Sequence, residues 1–277
     1  MRKTLTAGIA AGIVVAAGVA LPAQAISPTS ADLSVLHAVP GLTVDVYVDG
    51  ALTLDDFTPG TLAGPLDVPA GDHVIAITEA DAADDSAPVI GPVTVTLAAA
   101  SSYTAVAHLD AAGAPTATAF QNDISATGAG EGRLTVRHVA AAPAVDILAG
   151  GTAVVSGLEN PDEATLALPV GTVSASVALA GTTEPVLGPA DVPIKDGTLT
   201  VVYAWGSAED GTLALATQEV PAAHTAPGGV PSGTAGYAAE RDAIAQAVWI
   251  AAGGVVFAVA AVAVVVATRR RAARSES

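Results

Sequence analysis

Cysteine is absent from the 277-residue chain, aromatic residues are scarce at 3%, and positive charge is nearly missing from its middle. Each absence excludes something. Without cysteine there are no disulfides, no thiolate metal sites and no cysteine nucleophiles. A chain without such cross-links relies on its packed core. Hydrophobic residues make up 51%, but Ala and Val carry the excess, so the cores are shallow and bury little area per side chain. Between Ile26 and Glu240 the only basic residues are Arg133, Arg137 and Lys195, and the formal net charge is −17. So acidic a surface repels nucleic acid and anionic lipid. It suits solubility in a salty or polyanionic envelope; loose binding of divalent cations is the sharper alternative.

What is present is a repeat. Leu33 to Gly50, LSVLHAVPGLTVDVYVDG, returns 101 positions later as Leu134 to Gly151, LTVRHVAAAPAVDILAGG, without a gap. Leu33/Leu134, Val35/Val136, His37/His138, Val44/Val145, Asp45/Asp146 and Gly50/Gly151 are identical. Later landmarks recur too: Pro69-Ala70-Gly71 with Pro169-Val170-Gly171, and Val89-Ile90-Gly91-Pro92 with Val186-Leu187-Gly188-Pro189. The expected organisation is a first repeat over 31–123, a linker over 124–132 and a second repeat over 133–220. A linker this short makes the domains neighbours with limited swing.

Within each repeat, apolar residues alternate over short runs, as in Val44, Val46 and Val48 against Asp45, Tyr47 and Asp49. Asp49-Gly50 is a hairpin turn signal. Turns recur every ten or so residues with β-branched runs between them, and no helix is convincing. The expected fold class is all-β: two tandem immunoglobulin-like antiparallel β-sandwiches of about seven strands each, without the Cys-Trp-Cys hallmark.

The two ends carry addresses. Residues 1–25 read as a cleaved signal peptide, with Arg2-Lys3, an apolar run from Leu5 to Leu21 and the small-x-small site Ala23-Gln24-Ala25. Residues 221–243, rich in Pro, Gly and Ala, read as a flexible stalk. Residues 244–268 read as a transmembrane helix whose apolar centre runs from Val248 to Ala267. About twenty such residues cross a hydrocarbon layer of roughly 30 Å. Arg269, Arg270 and Arg271 in the tail 269–277 keep the C-terminus in the cytoplasm. The expectation is a single-pass cell-membrane protein with extracellular domains. Val230-Pro231-Ser232-Gly233-Thr234 lacks the Thr-Gly pair of a sortase signal, which favours a retained anchor over wall attachment.

The motif heading each repeat is V-x-H followed by V-D-[VI]. It is Val35-Leu36-His37 with Val44-Asp45-Val46, then Val136-Arg137-His138 with Val145-Asp146-Ile147. In this the chain resembles a bacterial secreted repeat family known as domain of unknown function family 4397. The resemblance implies secreted or surface-anchored proteins, often with tandem copies, and implies no activity.

His37, Asp45, His138 and Asp146 are the candidate site residues, and their expected role is structural. Parity puts each imidazole on the core face near a strand end, where it can bond a turn carbonyl and pin the connection that follows. A hydrolase would need a poised serine, and neither Ser34 nor Ser101 stands in a nucleophile elbow. His37, His73 and His108 have no metal-ligand spacing. Asp81, Asp84 and Asp85 offer oxygens to Ca²⁺, though a solvated loop is the plainer reading. Tyr47, Tyr103, Tyr203 and Trp205 are candidates for a sugar-stacking platform or for packing. The expected function is a surface protein for adhesion, recognition or envelope structure, without catalysis or cofactor, whose partner is an extracellular protein or glycan. Binding of a glycan or divalent cation is the alternative, and a hydrolase the last.

Overall fold

The structure, a computed structural model, describes residues 26–222. The expected signal peptide, transmembrane helix, Arg269, Arg270 and Arg271, and nearly all of the stalk lie outside the described residues. Within them the chain is entirely β, with no helix.

The first repeat contains β1 (Ser30–Ala38), β2 (Val44–Val48), β3 (Ala51–Phe57), β4 (Leu62–Pro69), β5 (Gly71–Glu79), β6 (Ile90–Leu97), β7 (Ser102–Leu109) and β8 (Pro115–Asn122). The second repeats the plan with β9 (Glu131–Ala141), β10 (Val145–Ala149), β11 (Thr152–Leu158), β12 (Glu163–Pro169), β13 (Gly171–Leu179), β14 (Pro185–Ile194), β15 (Thr198–Ser207) and β16 (Ala214–Pro221). Each repeat is a sandwich of two four-stranded sheets. One pair is β4-β1-β7-β8 on β3-β2-β5-β6, the other β12-β9-β15-β16 on β11-β10-β13-β14.

Two features differ from the sequence expectation. There are eight strands per repeat rather than about seven. Each sandwich also contains one parallel pair, β1 with β7 and β9 with β15. The path explains it. After β1 the chain crosses to the other sheet, returns for β4 and crosses again, so β7 can arrive beside β1 in the same direction. The intervening strands serve as the long crossover that a parallel neighbour needs.

Alternation assigns the cores. Leu33, Tyr103, Ala105 and Ala107 point into the first sandwich against Val44, Val46, Ile75 and Ile77. Leu134, Val136 and Val202 do the same in the second against Val145, Ile147 and Val177. The opposite parity of the same strands is buried as well. Leu36, Ala38, Val106 and Phe120 of the first repeat pack on Val139, Leu199, Val201, Tyr203 and Val220 of the second. The sheets containing β1 and β9 are therefore inner layers of a four-layer stack, covered on both faces. Both sandwiches belong to one compact unit. Face-to-face packing of two sheets, rather than the shortness of residues 124–132, fixes one repeat against the other.

Candidate functional site

The repeated histidines sit in equivalent places. His37 Nε2 lies 2.6 Å from the Leu42 carbonyl and His138 Nε2 lies 3.1 Å from the Pro143 carbonyl. A carbonyl only accepts, so in each ring Nε2 carries the proton and Nδ1 holds the lone pair. His138 Nδ1 accepts from the Ala140 amide at 3.5 Å, whereas the buried His37 Nδ1 has no partner. His37 also stacks on Phe57 at 5.9 Å. Burial lowers the pKa of both rings, partly opposed by the carbonyl bond. Every hydrogen bond of the two rings goes to the backbone. Each ties the strand end to the connection leading into the next strand.

The repeated aspartates close a β-bulge. Val44 pairs with Phe57 and Val46 with Leu54, so Asp55 and Asp56 together oppose Asp45. In the second repeat Val145 pairs with Leu158 and Ile147 with Val155, leaving Ser156 and Gly157 opposite Asp146. A bulge leaves backbone groups unpaired and re-aims side chains. Asp45 Oδ1 accepts from the Asp56 amide at 2.9 Å, and Asp146 Oδ1 from the Gly157 amide at 2.8 Å. Asp146 Oδ2 accepts a second bond, from the Gly181 amide at 2.8 Å.

This bulge is where carboxylates gather. Ligand-capable oxygens of Asp45, Asp55 and Asp56 all lie within 4.8 Å of one another, with Asp45 buried and the other two exposed. Asp55 has its pKa raised, chiefly by the charge of Asp45, then by desolvation and by Asp56 and Asp81. Asp81, Asp84 and Asp85, for which the sequence favours a solvated loop over Ca²⁺ binding, are not brought together as a ligand set. Asp84 caps its own turn, its Oδ1 accepting from the Ser86 amide at 3.0 Å.

His73 belongs to a separate arrangement in the first repeat. Its Nδ1 is 2.6 Å from Asp49 Oδ2 and its Nε2 is 2.7 Å from the Pro69 carbonyl. Both acceptors call for an N–H, which favours the charged ring. Its pKa is raised, first by the Asp49 hydrogen bond. Asp49 in turn is lowered, first by the Val74 amide and then by His73.

Between the repeats lies a polar network that the sequence did not reveal. Arg137 is 1% exposed. Its Nε donates to Glu163 Oε2 at 2.7 Å, Nη1 to Tyr203 Oη at 2.9 Å and Nη2 to Asn122 Oδ1 at 3.1 Å. The guanidinium lies 4.5 Å from the Phe120 ring centroid. Tyr203 Oη donates to Gln218 Oε1 at 2.6 Å, which also accepts from Thr104 Oγ1 at 3.0 Å. Asn122, Phe120 and Thr104 come from one repeat, and Glu163, Tyr203 and Gln218 from the other. The network thus cross-links the seam while leaving the guanidinium well satisfied. An adjoining groove of about 440 Å³ contains Asp32, Ser34, Ser102, Gln218 and Glu219.

The aromatic candidates do not form an exposed platform. Tyr47, Tyr103 and Tyr203 are buried, and Trp205 packs beside Gly60 at the seam. Among the described residues, the few aromatic rings are used for packing.

Residues 31–148 match the family described as Domain of unknown function (DUF4397). The match covers the first repeat and runs on through β9 and most of β10, and the second repeat is a similar β-domain. The match bears out the resemblance read from the V-x-H and V-D-[VI] motifs, and the similar second β-domain is consistent with two tandem copies. No curated protein matches the chain.

Proposed function

We propose that the protein is a single-pass surface protein that holds a rigid double β-sandwich outside the cell for adhesion, recognition or envelope structure, without catalysis. The observation that carries this reading is the double-faced burial of the inner sheets. Leu36, Val106 and Phe120 on one side meet Val139, Val201 and Tyr203 on the other, so the immunoglobulin-like repeats act as one stiff body rather than beads on a string. Such a body presents its two outer sheets in a fixed relation. Leu52 and Val74 are exposed on one and Val154 and Val186 on the other, and exposed sheet faces and loops are where a protein or glycan partner would engage. The apolar run from Val248 to Ala267, followed by Arg269, Arg270 and Arg271, supports the anchor. Ala23-Gln24-Ala25 supports removal of the leader.

Fractionation of the producing cells with the full-length gene tests it. The protein is expected in the membrane fraction after carbonate washing, with Ile26 as its first residue and its β-body open to external protease. Recovery in the soluble fraction, or protection of the body in intact cells, contradicts the reading.

A further inference from the structure

We infer that the β-bulge on the outer sheet of the first repeat is a divalent-cation site, suited to Ca²⁺, formed by Asp45, Asp55 and Asp56, with Thr78 as the cross-strand neighbour of Asp45. The argument begins with distances. Oxygens of the three aspartates lie within 4.8 Å of one another. Two oxygens on opposite sides of a Ca²⁺ ion at about 2.4 Å each are separated by that much, so one ion can touch all three. Hard oxygen donors, mostly carboxylates, with water completing the shell, are what Ca²⁺ takes.

An independent observation points the same way. Thr78 is 1% exposed, and its Oγ1 is buried without a hydrogen-bond partner. Thr78 is the ladder partner of Asp45 across β2 and β5. Val46 and Ile77, one position along, face the core. Asp45 and Thr78 therefore stand side by side on the outer face, where directly opposed side chains are neighbours. A buried hydroxyl left unpaired is costly, and this one belongs to the residue paired with Asp45 across the ladder.

The second repeat is an internal control. At the equivalent positions it has Ser156 for Asp55, Gly157 for Asp56, Gly181 for Asp81 and Ala178 for Thr78. The bulge folds there without any of the added carboxylates. Asp146 keeps both carboxylate oxygens on backbone amides, whereas Asp45 has only the Asp56 amide. Asp56 and Asp81 adopt φ of 50° and 62°, where the second repeat uses glycines at 68° and 78°. The left-handed region is disfavoured for a residue with a Cβ, so the fold alone would prefer glycine at both. Nor is there a local cation to balance the cluster: residues 26–132 contain no Lys or Arg.

The test is a Ca²⁺ titration of the metal-stripped full-length chain by calorimetry, repeated with Mg²⁺. One saturable Ca²⁺ per chain is expected, with Kd between about 1 µM and 1 mM, the range of sensor and extracellular sites, and weaker Mg²⁺ binding. The double substitution Asp55→Ser with Asp56→Gly installs the second repeat's own residues, which the same bulge tolerates. It should weaken binding at least tenfold while the circular dichroism spectrum stays unchanged. Thr78→Ala should weaken it severalfold, and Asp84→Asn should leave it intact. Absence of saturable binding up to about 10 mM, an order of magnitude above the weakest such sites, overturns the assignment. So does unchanged affinity in the folded double variant, which would place the ion elsewhere on the acidic surface.

Discussion

The inner and outer sheets of the stack have been shaped by different demands. The inner sheets β4-β1-β7-β8 and β12-β9-β15-β16 are covered on both faces along their central strands, so nearly every position of β1, β7, β9 and β15 is constrained by packing. Both repeats fill them by the same rule: one parity for the sandwich core, the other for the seam. The outer sheets face solvent on one side, and there the repeats diverge. His73 and its Asp49 clamp in the first become Val173 and Gly150 in the second. An acidic bulge becomes a Ser-Gly bulge. The inner layers hold the two copies together, while the outer layers are free to differ.

Breaking the seam should have the largest effect. Arg137→Ala leaves Tyr203, Asn122 and Glu163 without their shared donor and opens space beside Phe120. Removing one partner of a buried ion pair costs about 3–5 kcal/mol. Glu163 reaches solvent, its side chain 37% exposed, so about 3 kcal/mol is expected, read by urea denaturation.

Next come the bulge aspartates, which sharpen the contrast between the outer sheets. Asp146→Ala strands two amides, those of Gly157 and Gly181. Asp45→Ala strands one, that of Asp56, and relieves crowding with Asp55. At about 1–3 kcal/mol per unsatisfied group, Asp146→Ala should destabilise the body by about 1–3 kcal/mol more than Asp45→Ala, read by urea denaturation. Equal losses would mean that the two bulges are held alike.

The histidines divide by sign. His37, His108 and His138 have folded pKa values lowered by burial. Below about 6.5 the unfolded chain takes up protons that these rings refuse. Their contribution is therefore complete above that pH and is lost as pH falls towards the lowered values. His73 is raised, so its contribution is complete below about 6.5 and is lost as pH rises through its higher folded value. The smallest expected effect follows. The stability gap between the wild type and His73→Val should narrow from pH 6 to pH 9, measured by denaturation across that range.

How much of this was legible beforehand differs by layer. The all-β class and the duplication followed from alternation and from Leu33 to Gly50 recurring as Leu134 to Gly151. The seam left a sign that went unused. β1, β7, β9 and β15 are apolar on both parities, as in Leu33 and Val35 against Leu36 and Ala38, which is how a strand buried on both faces reads. Arg137 was opaque because its partners Phe120 and Asn122 come from the other repeat, and a charged residue on a strand usually marks solvent. The acidic bulge was partly within reach. The Asp49-Gly50 hairpin folds Asp55 and Asp56 back towards Asp45, but an added residue in one strand is invisible to strict alternation. Thr78 lies on a third strand, whose register no local signal sets.

The union of the two repeats into one body is tested most directly by unfolding the full-length chain in a calorimeter. The structure predicts a single transition for the β-body, with calorimetric and van't Hoff enthalpies equal, that Arg137→Ala moves as a whole to lower temperature. Two separate transitions, or a substitution at Arg137 that shifts only one of them, would contradict it.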